Sequence, residues 1–329
     1  MVLVLTRSDL EKTLSMKDTI LALEEAFREQ TLGQAISPLR ISLSLQDKQG
    51  WFGIMPCYLK GLMRFSTKIV SLYGNNPSAH NLPTIMATVV LNDPETGKVL
   101  SIMDGTFITS MRTGGLGGLA AKHLSRKDSR VIGIFGAGVQ ARTQLMAVRE
   151  VREISLAKVY DPIAERAEKF KRDMQSQLGI PIEIVADPKQ LVRGSDIITT
   201  VSTSKEPVLD GSNLEEGAFV GAFGNFRPNE RELDSETVRR SRIVVDSREA
   251  ALEESGDLLI PMKEGVITAD NIVADLGEVI LGRKTVRRSD KDIVLFKSVG
   301  LAIQDCAASA LAYQKARELG IGTEVELQK

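Results

Sequence analysis

Cysteine and histidine are nearly missing from this 329-residue chain: it has two of each, Cys57, Cys306, His80 and His123, none near another in sequence. Two thiols cannot build the disulfide framework of a small secreted domain. No Cys/His spacing of a metal centre is present either, so the chain reads as metal-free. An excess of one charge is also missing, since 42 basic residues stand against 43 acidic ones for a net charge of −1. Nucleic acid and anionic membranes select for basic surfaces, so neither is expected as a partner. Long apolar runs are absent as well. The opening "MVLVL" is too short for a signal-peptide core and leads into a polar helix, and no run approaches about eighteen apolar residues. What remains is a soluble, cytoplasmic protein whose partner is a small molecule.

Apolar residues make up 43% of the chain and charged residues 26%, an ordinary globular balance, and the length exceeds one core, so two domains are expected. The first stretch mixes helix with antiparallel strands. "SMKDTILALEEAFREQTLG" has Ser15 placed as N-cap, Ile20, Leu23, Ala26 and Phe27 at helical spacing, and Gly33 as the stop. "RISLSL" alternates, with Ile41, Leu43 and Leu45 on one side and Arg40 on the other. "GLMRFSTKIVSLYG" reads as a strand with Lys68 in its middle, where lysine is unusual. "TIMATVVLNDPETGKVLSIMDG" is a hairpin around a strong turn signal, and "TSMRTGGLGGLAAKHLS" a helix of small residues.

The pattern then changes. "RVIGIFG", "LAKVYD", "IEIVA", "DIITTV", "AFVGAFG" and "RIVVDS" alternate with helical stretches, the signature of βαβ units and a parallel sheet. "LAIQDCAASALAYQKARELG" returns as an amphipathic helix. The fold class is α/β, with a doubly wound nucleotide-binding domain inserted into an α+β domain.

"RVIGIFGAGVQARTQLMAV" sets Gly136, Ala137, Gly138, Val139, Gln140 and Ala141 between an apolar strand and a helix, the GxGxxG/A form of the dinucleotide fingerprint. The first glycine permits the tight turn, the second lets backbone approach a pyrophosphate, and the helix N-terminus offers unpaired N–H groups to that anion. Asp161 ends the next strand, 23 residues after Gly138, where a carboxylate accepts from ribose hydroxyls and repels a 2′-phosphate. NAD(H) is therefore expected, with NADP(H) as the alternative. Asp161 also suits the N-cap of "PIAERAEKF", with Pro162 at its first position. Thr200, Val201 and Ser202 follow the fourth strand of this half, where they either line the nicotinamide-ribose side or serve as turn formers.

On the substrate side stand three cations, Arg40, Lys68 and Arg112. Taken singly each suits a solvated surface, but converging beside a nicotinamide they suit a substrate carboxylate. "RFSTKIVSLYGNN", "LPTIMATVVLNDPETGKVLSIMDGTFITSMRTGG", "GIFGAGVQA" and "LFKSVGLAIQD" together resemble the ornithine cyclodeaminase/mu-crystallin family over about residues 1 to 320. That resemblance implies a homodimer built on a first domain of residues 1–115 plus 304–329, which binds substrate, and a Rossmann domain of residues 116–303. It also implies that Arg112, Thr113, Phe223, Lys297, Ser298 and Gly300 lie on the cofactor side. Asp305 belongs by resemblance to a segment closing the cofactor side, and otherwise is a first-turn acid favoured by the helix dipole.

Within the family, the cyclodeaminases have a glutamate three residues before the proline of "MP" and an aspartate after the strand "FVGAFG". The matching positions here are Gly53 and Phe226. Phenylalanine transfers no protons, so the resemblance points away from deamination and toward the ketimine reductases, which need a hydride donor and a carboxylate clamp. The implied reaction is NAD(P)H-dependent reduction of Δ1-pyrroline-2-carboxylate or Δ1-piperideine-2-carboxylate to L-proline or L-pipecolate. Arg40, Lys68 and Arg112 hold the carboxylate, Lys68 or water handles the imine proton, and Met55 and Phe226 form apolar walls or plain core. The alternatives are an ornithine cyclodeaminase or alanine dehydrogenase-like enzyme, and a non-catalytic dinucleotide-holding protein.

Overall fold

The β-forming run around Lys68 becomes a ten-residue strand, Arg64–Tyr73. In the computed structural model, which describes residues 1–327, this strand lies inside a mostly antiparallel sheet. Among the described residues the sheet has eight strands. From one edge they run Thr323–Val325, Val2–Leu5, Val99–Asp104, Ile85–Asn92, Arg64–Tyr73, Gly50–Leu59 and Ala35–Ile36, and Ile41–Leu45 also pairs with Gly50–Leu59. The opening "MVLVL" is thus a strand, parallel to Val99–Asp104 and antiparallel to Thr323–Val325.

One face of this sheet buries Met55, Cys57, Leu59, Val70, Val89, Leu91 and Met103. Helix Ala302–Leu319 covers its central strands and packs in turn on helix Met16–Thr31, whose Ser15 cap accepts from the Asp18 N–H. The covering helix is not amphipathic as its sequence suggests. Every residue from Ala302 to Ala310 is buried, because helices pack on it from behind while the sheet meets it in front. The opposite sheet face stays apolar yet open: Ile41, Leu43 and Ile69 are 55%, 52% and 46% exposed. Arg40 precedes the short strand instead of lying on its polar side, and is half-buried.

The chain divides into two compact units, Met1–Arg112 with the segment from Leu301 onward, and Thr113–Gly300. Helix Gly105–Leu124 carries the chain from the first into the second. Its small residues have a reason within the second unit: a Cβ at Gly117 would run into the Gln144 side chain, and one at Gly118 would meet the Ala147 carbonyl at 2.7 Å. Glycine there lets helix Val139–Val151 approach closely.

All strand pairs of the second unit are parallel. Their order is Ile182–Ile184, Leu156–Tyr160, Val131–Phe135, Ile197–Thr200, Phe219–Ala222, Val294–Lys297, Arg242–Val245 and Ile272–Asp275. Chain direction through the sheet reverses between Val131–Phe135 and Ile197–Thr200, the switch point of a doubly wound fold, so the crevice lies beyond the carboxyl ends of those strands. Two strands escape the sequence pattern, Ile272–Asp275 and Val294–Lys297. The second is buried along its length, as are Ile197–Thr200 and Phe219–Ala222.

Candidate active site

Within the first unit, the sheet's buried face turns Lys68 inward, opposite Met55 on one neighbouring strand and Val89 on the other. An ammonium held there needs an anion, and Asp305 supplies it from the first turn of the covering helix. Lys68 Nζ lies 2.7 Å from Asp305 Oδ2, with the two side chains 1% and 0% exposed. Arg112 Nε donates to the other oxygen, Oδ1, at 3.1 Å, and Arg112 Nη1 donates to Gln304 Oε1 at 2.7 Å. Arg112 Nη2 takes part in neither bond. Burial pushes the Lys68 ammonium pKa down to about 7; Asp305 opposes this, while Arg112 and Arg40 add to it. The cations predicted from sequence thus share one electrostatic neighbourhood, and the carboxylate that Lys68 and Arg112 share, over 190 residues from either, was not foreseen as their partner.

Two features border this network. Cys57 and Cys306, remote in sequence, share a side-chain hydrogen bond that pushes the Cys57 thiol up. Gly53 lies under Trp51: a Cβ there would run into the indole, so position 53 has no room for a longer side chain unless Trp51 moves.

In the second unit the fingerprint is built as its glycines require. Gly136 has φ +99°, a conformation strained for any residue with a Cβ, and such a Cβ would lie 3.0 Å from the Val201 carbonyl. Gly138 is the N-cap of helix Val139–Val151, and no side chain caps that end. Its first N–H groups therefore face a possible anion with no protein acceptor supplied by the cap, and open space surrounds Gly138. Asp161 Oδ2 accepts from the Ala137 N–H at 2.9 Å and Oδ1 from Ile163 N–H at 2.9 Å, which aims the carboxylate at the turn. It does not cap the following helix, which begins at Ala164 behind Ile163, because Pro162 lies outside the helix. Glycine turn, uncapped helix end and aimed carboxylate fit the diphosphate and ribose of a dinucleotide.

The other cofactor-side candidates of this unit lie in helix Gly105–Leu124 or at strand ends and the loops that follow them. The Thr113 carbonyl accepts from Gln144 Nε2 at 3.0 Å. The Thr200 hydroxyl, the Ser202 hydroxyl and the Ser202 N–H all donate to Glu232, next to Val201. The Phe223 ring lies 5.8 Å from that of Phe296, and Phe226 is half-buried. Lys297 ends its strand fully buried, with Nζ 2.6 Å from Asp257 Oδ2 and 2.6 Å from the Asn225 carbonyl. Ser298 Oγ and the Gly300 N–H donate to Asp246, whose carboxyl burial pushes up. Glu232, Asp246, Asp257 and Gln144 escaped the sequence reading. Asp246 ends a β-rich run and Gln144 lies in a helix, while Glu232 and Asp257 stand among polar residues as solvated acids or helix caps do.

Residues 1–320 match the model of the ornithine cyclodeaminase/mu-crystallin family. The chain is 36% identical over 325 residues to a Δ1-pyrroline-2-carboxylate reductase of Bacillus cereus, spanning 98% of this chain and 99% of that protein. Among solved structures, Thermococcus litoralis Δ1-pyrroline-2-carboxylate reductase in complex with NADH and L-proline superimposes with a TM-score of 0.96 at 49% identity, covering 98% of this chain and 100% of that one. An archaeal alanine dehydrogenase dimer with bound NAD superimposes at 0.94 with 38% identity, covering 99% of each chain.

Proposed function

The chain belongs to the ornithine cyclodeaminase/mu-crystallin family, and from that premise we propose that it is a cytoplasmic, NADH-dependent reductase of cyclic 2-imino acids, forming L-proline or L-pipecolate. The observation that carries the reading is the buried set of Lys68 and Arg112 around Asp305, with Arg40 beside it. Its positive charge exceeds its negative charge, which suits a carboxylate. When bound, NADH supplies the hydride that the C=N carbon accepts. The side chains supply the rest. Arg40 and Arg112 meet the carboxylate first, because Lys68 is almost wholly covered. Arg112 keeps Nη2 for that contact while Asp305 and Gln304 fix its other nitrogens. Lys68, whose pKa burial brings down to about 7, or water donates the proton that the imine nitrogen needs, so one hydride and one proton together turn C=N into CH–NH.

Two findings support reduction over deamination. Trp51 occupies the space that a glutamate at position 53 would need, and position 226 is a phenylalanine. Asp161, aimed at the turn by two backbone N–H groups, supports NADH over NADPH. The similarity to an archaeal alanine dehydrogenase favours a second reading, oxidation of an amino acid. A second copy of this chain is the proposed cover for the open apolar sheet face around Ile41, Leu43 and Ile69. Sedimentation at twice the 35.9 kDa chain mass would support that dimer, and sedimentation at the chain mass would refute it.

The decisive assay mixes purified protein and NADH with pyrroline-2-carboxylate or piperideine-2-carboxylate and follows loss of reduced-cofactor absorbance. Turnover is expected with one or both. NAD reduction with alanine or ornithine, and none of the imine activity, would replace the reading by the second one. NADH binding without turnover of any of these would make the protein a dinucleotide-holding one.

A further inference from the structure

Three neighbouring strands of the second unit, Ile197–Thr200, Phe219–Ala222 and Val294–Lys297, end at the same edge, and one buried carboxylate ties the loops that leave the first two. Glu232 is 0% exposed. Its Oε1 accepts from the Ser202 N–H and the Ser202 hydroxyl, both at 2.7 Å. Its Oε2 accepts from the Thr200 hydroxyl at 2.9 Å and the Gly224 N–H at 2.8 Å. Each oxygen thus receives two donors, an arrangement only the ionised carboxylate satisfies in full.

A second layer holds Glu232 in place. Asp257 Oδ1 accepts from the backbone N–H groups of Glu232 and Leu233 at 2.7 and 2.9 Å. Asp257 Oδ2 pairs with Lys297 at the end of the third strand, and Lys297 also donates to the Asn225 carbonyl. One connected network therefore fixes the carboxyl ends of all three strands. Burial and the nearby Asp257 push the Glu232 carboxyl up, with Lys297 and the Ser202 donors opposing them.

The location gives the network its meaning. Asp161, the ribose-facing carboxylate, follows Leu156–Tyr160 on one side of the fingerprint strand. The loops tied by Glu232 follow the strands on the other side. In a doubly wound sheet the dinucleotide lies across the strand ends, so its two halves fall on opposite sides of the switch point. The adenosine half is on the Asp161 side. We propose that Glu232 is a positioning residue for the nicotinamide ring of the cofactor, acting by fixing the loops Val201–Ser204 and Phe223–Phe226. It touches neither cofactor nor substrate.

The test compares two ligands by titration calorimetry: NADH, and ADP-ribose, which lacks the nicotinamide. Glu232→Gln keeps the shape but puts an NH2 group where one of two fixed backbone donors, Ser202 N–H or Gly224 N–H, now finds an acceptor. From the value of a hydrogen bond to a charged group, the variant should bind NADH roughly 10- to 100-fold more weakly and ADP-ribose within about twofold of wild type. A general structural role would weaken both ligands alike, and that result, or no change in either, overturns the proposal. Should Glu232→Gln fail to fold, Thr200→Val decides. Its hydroxyl is wholly buried and bonds Glu232, and its loss should weaken NADH roughly 3- to 10-fold with ADP-ribose unchanged. No imine enters these titrations, so they succeed or fail independently of the reductase reading.

Discussion

Asp305→Asn removes the one carboxylate shared by Lys68 and Arg112 while keeping the side chain's size and its place on the helix. At 2.7 Å and an effective dielectric of about 20, the Lys68–Asp305 attraction is about 6 kcal/mol before desolvation is subtracted. Breaking one side of such a buried pair costs about 3–5 kcal/mol, because the surviving charge is left without compensation. Lys68 escapes that cost by giving up its proton. Its pKa already lies at about 7, and the neighbours that remain, Arg112 and Arg40, only push it lower. At about 1.36 kcal/mol per unit, the lost partner corresponds to a further fall of about 2–3.5 units. At neutral pH the ammonium population then drops about 100-fold or more, and kcat/KM for pyrroline-2-carboxylate should drop with it. The deficit relative to wild type should grow about tenfold between pH 6 and pH 8, where wild-type Lys68 itself titrates. Initial rates across that range measure it, with circular dichroism confirming the fold and NADH titration confirming an intact cofactor site. Wild-type kcat/KM, or a deficit independent of pH, would refute the role given to the pair.

Stability should depend on pH through the same lysine. The folded pKa of Lys68 lies below the unfolded value of 10.5, so between about 7 and 10.5 the unfolded chain binds the extra proton. Stability therefore rises with pH through that window and is lost as pH falls through 7. The urea midpoint should be higher at pH 9 than at pH 7, and Lys68→Met should flatten this difference; an unchanged slope in the variant would place its cause elsewhere. Asp161→Ala should weaken NADH by about tenfold and raise the NADPH-to-NADH affinity ratio, since it removes a charge-assisted acceptor and a repulsion of the 2′-phosphate together. A titration in which both cofactors weaken equally would remove Asp161 from cofactor selection. Gly136→Ala forces a Cβ onto a backbone at φ +99° and against the Val201 carbonyl, a strain of about 1–3 kcal/mol. Its melting temperature and NADH affinity should both fall, and an unchanged protein would mean that the turn relaxes freely.

The sheet half of each unit was legible because local chemistry determined it. A run of β-formers bounded by glycines marks Arg64–Tyr73, a turn signal marks the hairpin from Ile85 to Asp104, and the fingerprint locates itself between strand and helix. Elements buried on every side were harder to read. The first half of helix Ala302–Leu319 lacks a polar face, and periodicity reads only the contrast between faces. The same limit hid much of the site. Lys68 was found as a cation out of place in a strand, with Arg40 and Arg112 joined to it by the need for a carboxylate clamp, but Asp305 sits where a first-turn acid is ordinary, and only folding brings it to Lys68. Glu232 and Asp257 likewise look like solvated acids in "RELD" and "ESGD" until the sheet closes around them.

Charge and space around Lys68 argue jointly for the chemistry. Lys68 and Arg112 share the one carboxylate of Asp305, so this ionised set carries an excess of positive charge that a substrate carboxylate would reduce. A glutamate at position 53 would cancel part of that excess and bring a base for an amine, which deamination needs and imine reduction does not. Trp51 closes that option physically, because the indole stands where the side chain would begin. Replacing Gly53 alone therefore cannot install the base: the indole must move first, and its buried area is lost with it. Converting this chain toward deamination requires a glutamate at position 53 with a displaced Trp51 indole, and a change at Phe226 besides if the second carboxylate is also needed. A single substitution that conferred ornithine deamination would show that the proton-handling group lies elsewhere in the chain.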